Sequence, residues 1–227
     1  MRKNGSRLIS LRQYCLTDLF LFAVILIAFE LIVHFAYQAF GGGTLFFFSP
    51  MPAIVMIVMM RWGWPSVFYA VFDGLLYCLL NLKNANFENS FFAIYIIGNA
   101  AIMILLLMTR FMGRKKIAGK WYFSLLFVIV GWLAVVLGRS IVAACFSKNF
   151  LGAILNQLME PMTPAISIII ILIMRRLDGM FEWQRGYLKR LDDERKEKMR
   201  RDTYGDEPIE IDEESIKVLK KKDDDLY

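Results

Sequence analysis

The chain has 227 residues, of which 57% are hydrophobic and 21% are charged, with a mean hydropathy of +0.47 and a formal net charge of +6. Soluble domains are about half apolar, so this composition indicates an integral membrane protein. Most charges lie in the terminal segments and loops, with no basic patch interleaved with aromatic residues, so nothing indicates a nucleic-acid partner.

Six apolar runs predict an all-α fold, an integral membrane bundle of six transmembrane helices. A spanning helix needs about 20 mostly apolar residues. The first run is too long for the apolar region of a cleaved signal peptide, so we expect it to remain as a helix. The second is short and carries Pro50 and Pro52, so we expect it to be bent, irregular or shielded by neighbouring helices. The runs cover residues 15–40, 45–60, 64–82, 91–112, 121–146 and 151–174.

The distribution of lysine and arginine predicts the orientation of the bundle. The loops that follow the first, third and fifth runs hold only Lys83 and Lys148. Because basic residues favour the cytoplasmic side, both termini are expected in the cytoplasm, an N-in/C-in arrangement. The basic residues on that side are Arg2, Lys3, Arg7, Arg12, Arg61, Arg110, Arg114, Lys115, Lys116, Lys120, Arg175 and Arg176.

Composition divides the chain into three parts. Residues 1–14 form a basic cytoplasmic segment, residues 15–174 the six-helix transmembrane domain and residues 175–227 a charged cytoplasmic tail. The tail mixes charges of both signs at helical spacing up to about residue 202, which predicts a helix at the interface and then in solvent. The remainder is polar and charged, which predicts disorder.

Four charged residues within the apolar runs, Glu30, Asp73, Arg139 and Glu160, lie at the expected midplane or in the outer half of the membrane. Such groups cost several kcal/mol in lipid, so they usually face the bundle interior, pair with one another or serve function. Asp73 lies near the midplane, which requires either a partner or protonation. The helical spacing places Glu30, His34 and Tyr37 on one face of the first helix.

These polar stripes have two interpretations. They could hydrogen-bond the helices together, as buried polar residues in membranes commonly do. Alternatively, they line one outward-facing cavity for a small ligand, where aromatic rings would stack on a flat molecule and free carboxylates would favour a neutral or cationic one. The predicted ligand-binding residues are Glu30, His34, Tyr37, Tyr95, Asn99, Arg139, Asn156 and Glu160.

No catalytic motif is present. The sequence lacks GxSxG, HExxH and a phosphate-binding Walker loop, so we expect no enzymatic activity and no cofactor. Three cysteines lie singly in apolar runs and there is one histidine, which argues against disulfides or a metal site. A transporter of this design would take its energy from another subunit or from a gradient.

One stretch carries a family resemblance. A proline-containing second helix, then "MMRWG" at the cytoplasmic turn, then a third helix with "DGLL" resembles the substrate-binding S components of energy-coupling factor (ECF) vitamin transporters. The resemblance implies capture of a vitamin-like molecule from outside a bacterial plasma membrane. It also implies partners, namely a transmembrane coupling subunit and ATPase subunits. Close helix approach at Gly63, Ser66 and Ala70 would then form the coupling interface.

A second family is also similar. Residues 156–179, "NQLMEPMTPAISIIIILIMRRLDG", resemble the end of MreD-like shape-determining membrane proteins, and "RWG" and "DGLL" suit that family too. This alternative implies a non-enzymatic scaffold of a cell-wall complex whose tail contacts partners. A third possibility is a small ion-coupled carrier that uses Asp73 and Glu160 as proton relays, although no inverted repeat is visible.

Overall fold

The computed structural model describes residues 11–39, 48–81, 89–147, 150–158 and 162–204 of the chain. All regular structure within these ranges is helical, which confirms the predicted all-α class for the described part of the protein. A short 3₁₀ turn, Ala101–Met103, joins α4 to α5. The helices are α1 (Leu11–Ala39), α2 (Met51–Trp62), α3 (Ser66–Leu80), α4 (Asn89–Ala100), α5 (Ile104–Met112), α6 (Arg114–Gly119), α7 (Trp121–Ser147), α8 (Phe150–Leu158), α9 (Met162–Arg176) and α10 (Gln184–Tyr204).

Three helical segments are long and apolar enough to cross a membrane. They are Leu11–Ala39, Ser90–Met112 and Trp121–Phe146. They carry many exposed large apolar side chains, among them Phe20, Ile32 and Leu137, as expected of surfaces that face lipid. These segments correspond to the first, fourth and fifth predicted runs. The structure therefore supports a membrane protein with three such helices, and the other three runs form shorter helices.

The second run forms the centre of the bundle. Every residue of α2 from Met51 to Arg61 is buried, and α2 packs against α1, α3, α7 and α9. A 12-residue helix is about 18 Å long, shorter than the about 30 Å of a bilayer core. Because protein surrounds it on all sides, α2 places no backbone polar group in lipid.

The sixth run divides into two helices. α8 ends at Leu158 and α9 begins at Met162, with residues 159–161 outside the described ranges. α8 packs along α7, and α9 contacts both α7 and α2. Consequently α9 packs against the buried helix α2, and Thr163 in its first turn is buried.

Glycines bring α3, α4 and α7 into close contact. A Cβ atom added to Gly98 would lie 2.7 Å from Arg139 Cα, and one on Gly138 would lie 2.5 Å from the carbonyl oxygen of Gly98. A Cβ on Gly74 would meet the carbonyl oxygen of Tyr95. Small residues allow such backbone approach in membrane bundles. Each of these glycines is followed or preceded by a polar residue in the dipeptides 73–74, 98–99 and 138–139.

Gly98→Ala is therefore expected to destabilise the protein by about 1–3 kcal/mol, because the added methyl group meets backbone atoms that cannot rotate away. The measurement is thermal unfolding of the detergent-solubilised protein. Gly119→Ala is the matched control, since nothing lies within 4 Å of its added Cβ. Equal melting temperatures for the two variants would contradict the close contact of α4 and α7.

The chain divides into two compact units, Met1–Tyr187 and Leu188–Tyr227. The first includes residues 175–187, which composition had assigned to the tail. The described part of the second unit is the remainder of α10, whose side chains from Leu191 to Arg200 are all exposed. Ion pairs four residues apart join Arg190 to Glu194, Lys196 to Asp192 and Arg201 to Glu197 along it. The predicted disordered segment, residues 206–227, lies outside the described ranges.

Candidate functional site

Six buried polar residues meet in the interior of the bundle, and we call them the central polar cluster. They come from α1, the segment before α2, α3, α4, α7 and α9. Each has at most 7% of its surface exposed, in a region otherwise filled by apolar side chains. The members are Glu30, Ser49, Asp73, Asn99, Arg139 and Thr163.

One half of the cluster is organised by Ser49. Its hydroxyl group donates a hydrogen bond to Glu30 Oε1 (3.0 Å) and accepts one from the backbone N–H of Met51 (3.3 Å). Its own backbone N–H donates to Thr163 Oγ1 (3.0 Å). The first N–H groups of a helix lack intrahelical partners and attract negative charge. The Ser49 hydroxyl therefore gives the backbone N–H of Met51, at the start of α2, a hydrogen-bond acceptor, and it connects this helix to the carboxyl group of Glu30.

The other half is organised by Asn99. Its Nδ2 group donates to Asp73 Oδ2 (3.3 Å) and to the carbonyl oxygen of Ala70 (3.3 Å). Its Oδ1 atom accepts a hydrogen bond from Arg139 Nε (2.7 Å). The amide thus links a carboxyl group of α3 to a guanidinium group of α7. The carboxyl groups of Asp73 and Glu30 are neighbours and connect the two halves.

An aromatic group covers the Arg139 side of the cluster. The Arg139 guanidinium lies 4.8 Å from the centre of the Tyr95 ring. Tyr95 in turn contacts Tyr77 at 4.3 Å and Phe91 at 4.8 Å between ring centroids. A desolvated cation–π contact contributes about 2 kcal/mol. The arrangement therefore holds a positive charge beside a group of packed aromatic rings.

A small cavity adjoins the cluster. Its volume of about 10 Å³ leaves room for about one water molecule. It lies between the Ser49–Thr163 pair and Arg139, so polar atoms are available to a bound water. A vitamin-sized molecule does not fit in this cavity. The lining residues are Ser49, Pro52, Trp132, Val135, Val136, Arg139 and Thr163.

The structure brings together four of the eight predicted ligand-binding residues. Glu30, Asn99 and Arg139 belong to the cluster, and Tyr95 contacts it through Arg139. The other four are His34, Tyr37, Asn156 and Glu160. The latter two cannot be placed, because the side chain of Asn156 and the whole of Glu160 lie outside the described residues.

His34 and Tyr37 lie nearer the end of α1. Both are half-buried, and His34 Nε2 is 2.8 Å from Nε2 of exposed Gln38. The His34 ring also contacts Phe35 at 5.7 Å. These contacts stay within α1 and do not join His34 to the central polar cluster.

Ser49 and Thr163 are cluster members that were not among the predicted ligand-binding residues. A serine followed by the proline-rich start of a helix is a common N-terminal capping signal, and this would have singled out Ser49. Nothing in the sequence indicated that the carboxyl group of Glu30 would meet this cap, since the two residues lie on different helices.

A second buried polar group lies toward the other end of α2, around Arg61. Arg61 and Asp18 form a bidentate ion pair, with Nε and Nη2 each 2.8 Å from a carboxylate oxygen. Arg61 Nη1 donates to the carbonyl oxygen of Gly179 (2.6 Å), and Gln184 donates to the same oxygen. Trp62 Nε1 donates to Asp18 Oδ2 (2.5 Å). These hydrogen bonds connect α1, α2 and the start of α10.

The three residues of the predicted coupling interface are close to this end of the bundle. Ser66 and Ala70 are fully buried. Gly63 ends α2, and a Cβ added there would lie 2.7 Å from Arg114 Nη2. Ser66 and Ala70 thus contribute to packing within the chain, and a partner would reach them only after the helices around them separate.

No three His, Cys, Asp or Glu side chains of the described ranges lie close enough to hold a metal ion. Comparisons with protein-family models, with curated proteins and with solved structures gave no match to this chain.

Proposed function

We propose that the protein is a membrane-embedded substrate-binding subunit for uptake of a small vitamin-like molecule, powered by separate coupling and ATPase subunits. The observation that supports this most is the central polar cluster, where Glu30, Asn99, Arg139 and the Tyr95 ring gather inside an apolar bundle. Buried ionisable groups in membrane helices commonly mark substrate or ion pathways.

The proposed topology has six passes with both termini in the cytoplasm. Twelve residues separate Asp18 from Glu30 on α1, and twelve separate Ser49 from Arg61 along α2. The two polar groups therefore lie about 18 Å apart along antiparallel helices. With the Arg61 group and Trp62 at the inner interface, the cluster lies just beyond the midplane of an about 30 Å core.

Reporter fusions after Asn86 and after Gly119 are expected to lie on opposite sides of the membrane. The physical reason is the charge difference between the two loops, one with Lys83 and the other with five basic residues between positions 110 and 120. A periplasm-active and a cytoplasm-active reporter are compared at each site. Both fusions on one side would contradict the six-pass arrangement and the depth assigned to the cluster.

The proposed ligand is small, flat and neutral or cationic. The rings of Tyr77, Phe91 and Tyr95 offer stacking surfaces, and Glu30 and Asp73 disfavour an anion. Because the adjoining cavity accepts about one water molecule, binding requires helices around it to move apart. We therefore expect the ligand to change the conformation of the bundle.

Binding across a vitamin panel to the purified protein tests this function. Tyr95→Ala is expected to weaken the affinity for one compound by tenfold or more, about 1.4 kcal/mol, because a stacking ring is lost. Tyr122→Ala is the matched control, since this exposed tyrosine lies on α7 near Lys120, far along the chain from the cluster. Failure of every compound to bind the native protein would refute the proposal.

A non-enzymatic MreD-like scaffold is the second candidate. Two observations favour it. The cluster members form hydrogen bonds with one another, and the adjoining cavity is small, whereas a purely structural cluster needs no space for a ligand. This function predicts no thermal shift with any vitamin and co-purification with proteins of cell-wall synthesis from mildly solubilised membranes. Co-purification of ATPase subunits instead would support the transport function.

A further inference from the structure

The two carboxyl groups of the central polar cluster are neighbours. Asp73 and Glu30 lie within reach of a side-chain hydrogen bond, and they are 1% and 2% exposed. A carboxylate only accepts hydrogen bonds, whereas a protonated carboxyl group also donates one. A hydrogen bond between these two side chains therefore requires a proton on one of them.

The donors around the pair leave one oxygen atom without a partner. Ser49 donates to Glu30 Oε1 and Asn99 donates to Asp73 Oδ2. Asp73 Oδ1 is fully buried, and no donor group among the described residues reaches it. Leaving such an atom without a hydrogen bond is costly in an apolar interior. A proton at this oxygen would satisfy it and would link it to Glu30.

The surrounding charges agree with one bound proton. Among the described residues, the titratable and charged side chains that face Asp73 are Glu30 from α1, Cys78 from its own helix and Arg139 from α7, while α4 contributes the neutral amide of Asn99. Arg139 balances one carboxylate. Two carboxylates beside a single guanidinium would leave uncompensated negative charge in a low-dielectric interior, where like charges in contact cannot both ionise.

We propose that Glu30 and Asp73 form a proton-binding site within the bundle, in which the pair holds one proton between its two carboxyl groups. The Ser49 hydroxyl contacts Glu30 and lines the water-sized cavity, so it provides the path by which this proton exchanges. The ligand of this site is the proton itself, and the site does not depend on which of the two functions the protein has.

Infrared spectroscopy of the full chain in an ester-free detergent tests the site. Isolated Asp and Glu side chains are ionised at about pH 7, so a protonated carboxyl band at that pH reports a bound proton. The spectrum of the native protein is compared with those of Asp73→Asn, Glu30→Gln and the double variant. Glu194→Gln, on the exposed part of α10, is the control and is expected to leave the band unchanged.

Each single variant is expected to lose the infrared band of one carboxylic acid. The remaining carboxyl group is then ionised, because Arg139 balances its charge. The double variant is expected to lose no more than either single variant. A twofold loss in the double variant would mean that each residue binds its own proton, and loss in one single variant alone would assign the proton to that residue. Either result, or no loss at all, would overturn the shared site.

A further variant keeps the test decisive if an amide substitution prevents folding. Ser49→Ala removes the hydrogen bond to Glu30 Oε1, which is expected to shift the carboxylic acid band to higher wavenumber without reducing its amplitude. Ser124→Ala is the matched control, since that hydroxyl donates to the carbonyl oxygen of Ile117 instead. A band that does not move in Ser49→Ala would overturn the site.

Discussion

Arg61→Met is expected to lower the free energy of unfolding by about 3–5 kcal/mol, because it leaves the Asp18 carboxylate buried without its cation. The pair is bidentate and its side chains are only 4% and 10% exposed. The substitution also removes one of the two side-chain donors to the carbonyl oxygen of Gly179, in the turn before α10. Thermal or denaturant unfolding of the detergent-solubilised protein measures the loss.

Arg201→Met provides the matched control. Arg201 lies 2.7 Å from Glu197, but both side chains are more than half exposed. Such pairs contribute about 0.5 kcal/mol or less. If both arginine variants lower the free energy of unfolding by the same small amount, the buried Arg61–Asp18 pair does not stabilise the fold in the way that its geometry indicates.

Arg139→Met is expected to lower the free energy of unfolding by a similar amount, about 3–5 kcal/mol, because it removes the one cation of the described cluster. Asn99 Oδ1 then loses its hydrogen bond of 2.7 Å, and the Tyr95 ring loses its cation–π contact. Asp73→Asn is expected to be tolerated, since a neutral amide avoids the cost of a buried charge. Thermal unfolding of the two variants measures the difference.

The combination of these substitutions separates a charge effect from a packing effect. With Asn at position 73 and Gln at position 30 the cluster holds no carboxyl group, so Arg139→Met is expected to be less destabilising in that background. The difference between the two measurements is the coupling energy of the pair. Additive losses would show that Arg139 acts through packing alone, and severe misfolding of Asp73→Asn would show that its charge is required.

The stretch from Ser49 to Gly74 illustrates what could be inferred from sequence. Its apolar residues and prolines predicted a segment that is bent, irregular or shielded by its neighbours, and α2 is buried along its length, in agreement with shielding. Arg61 was predicted as a cytoplasmic loop charge, whereas it lies in α2 and pairs with Asp18. Asp73 was predicted to need a partner or a proton, and its contacts with Asn99 and Glu30 became visible only in three dimensions.

The sequence by itself determined the membrane character, the helical class and the positions of the apolar segments, because hydropathy and helical periodicity are properties of neighbouring residues. It also showed that Glu30, Asn99 and Arg139 needed polar surroundings. Only the tertiary structure decided that these residues meet one another, that α2 is central and that α8 and α9 are separate helices. The physical reason is that these contacts join residues distant in sequence, whose partners depend on how the glycine-lined faces of α3, α4 and α7 pack.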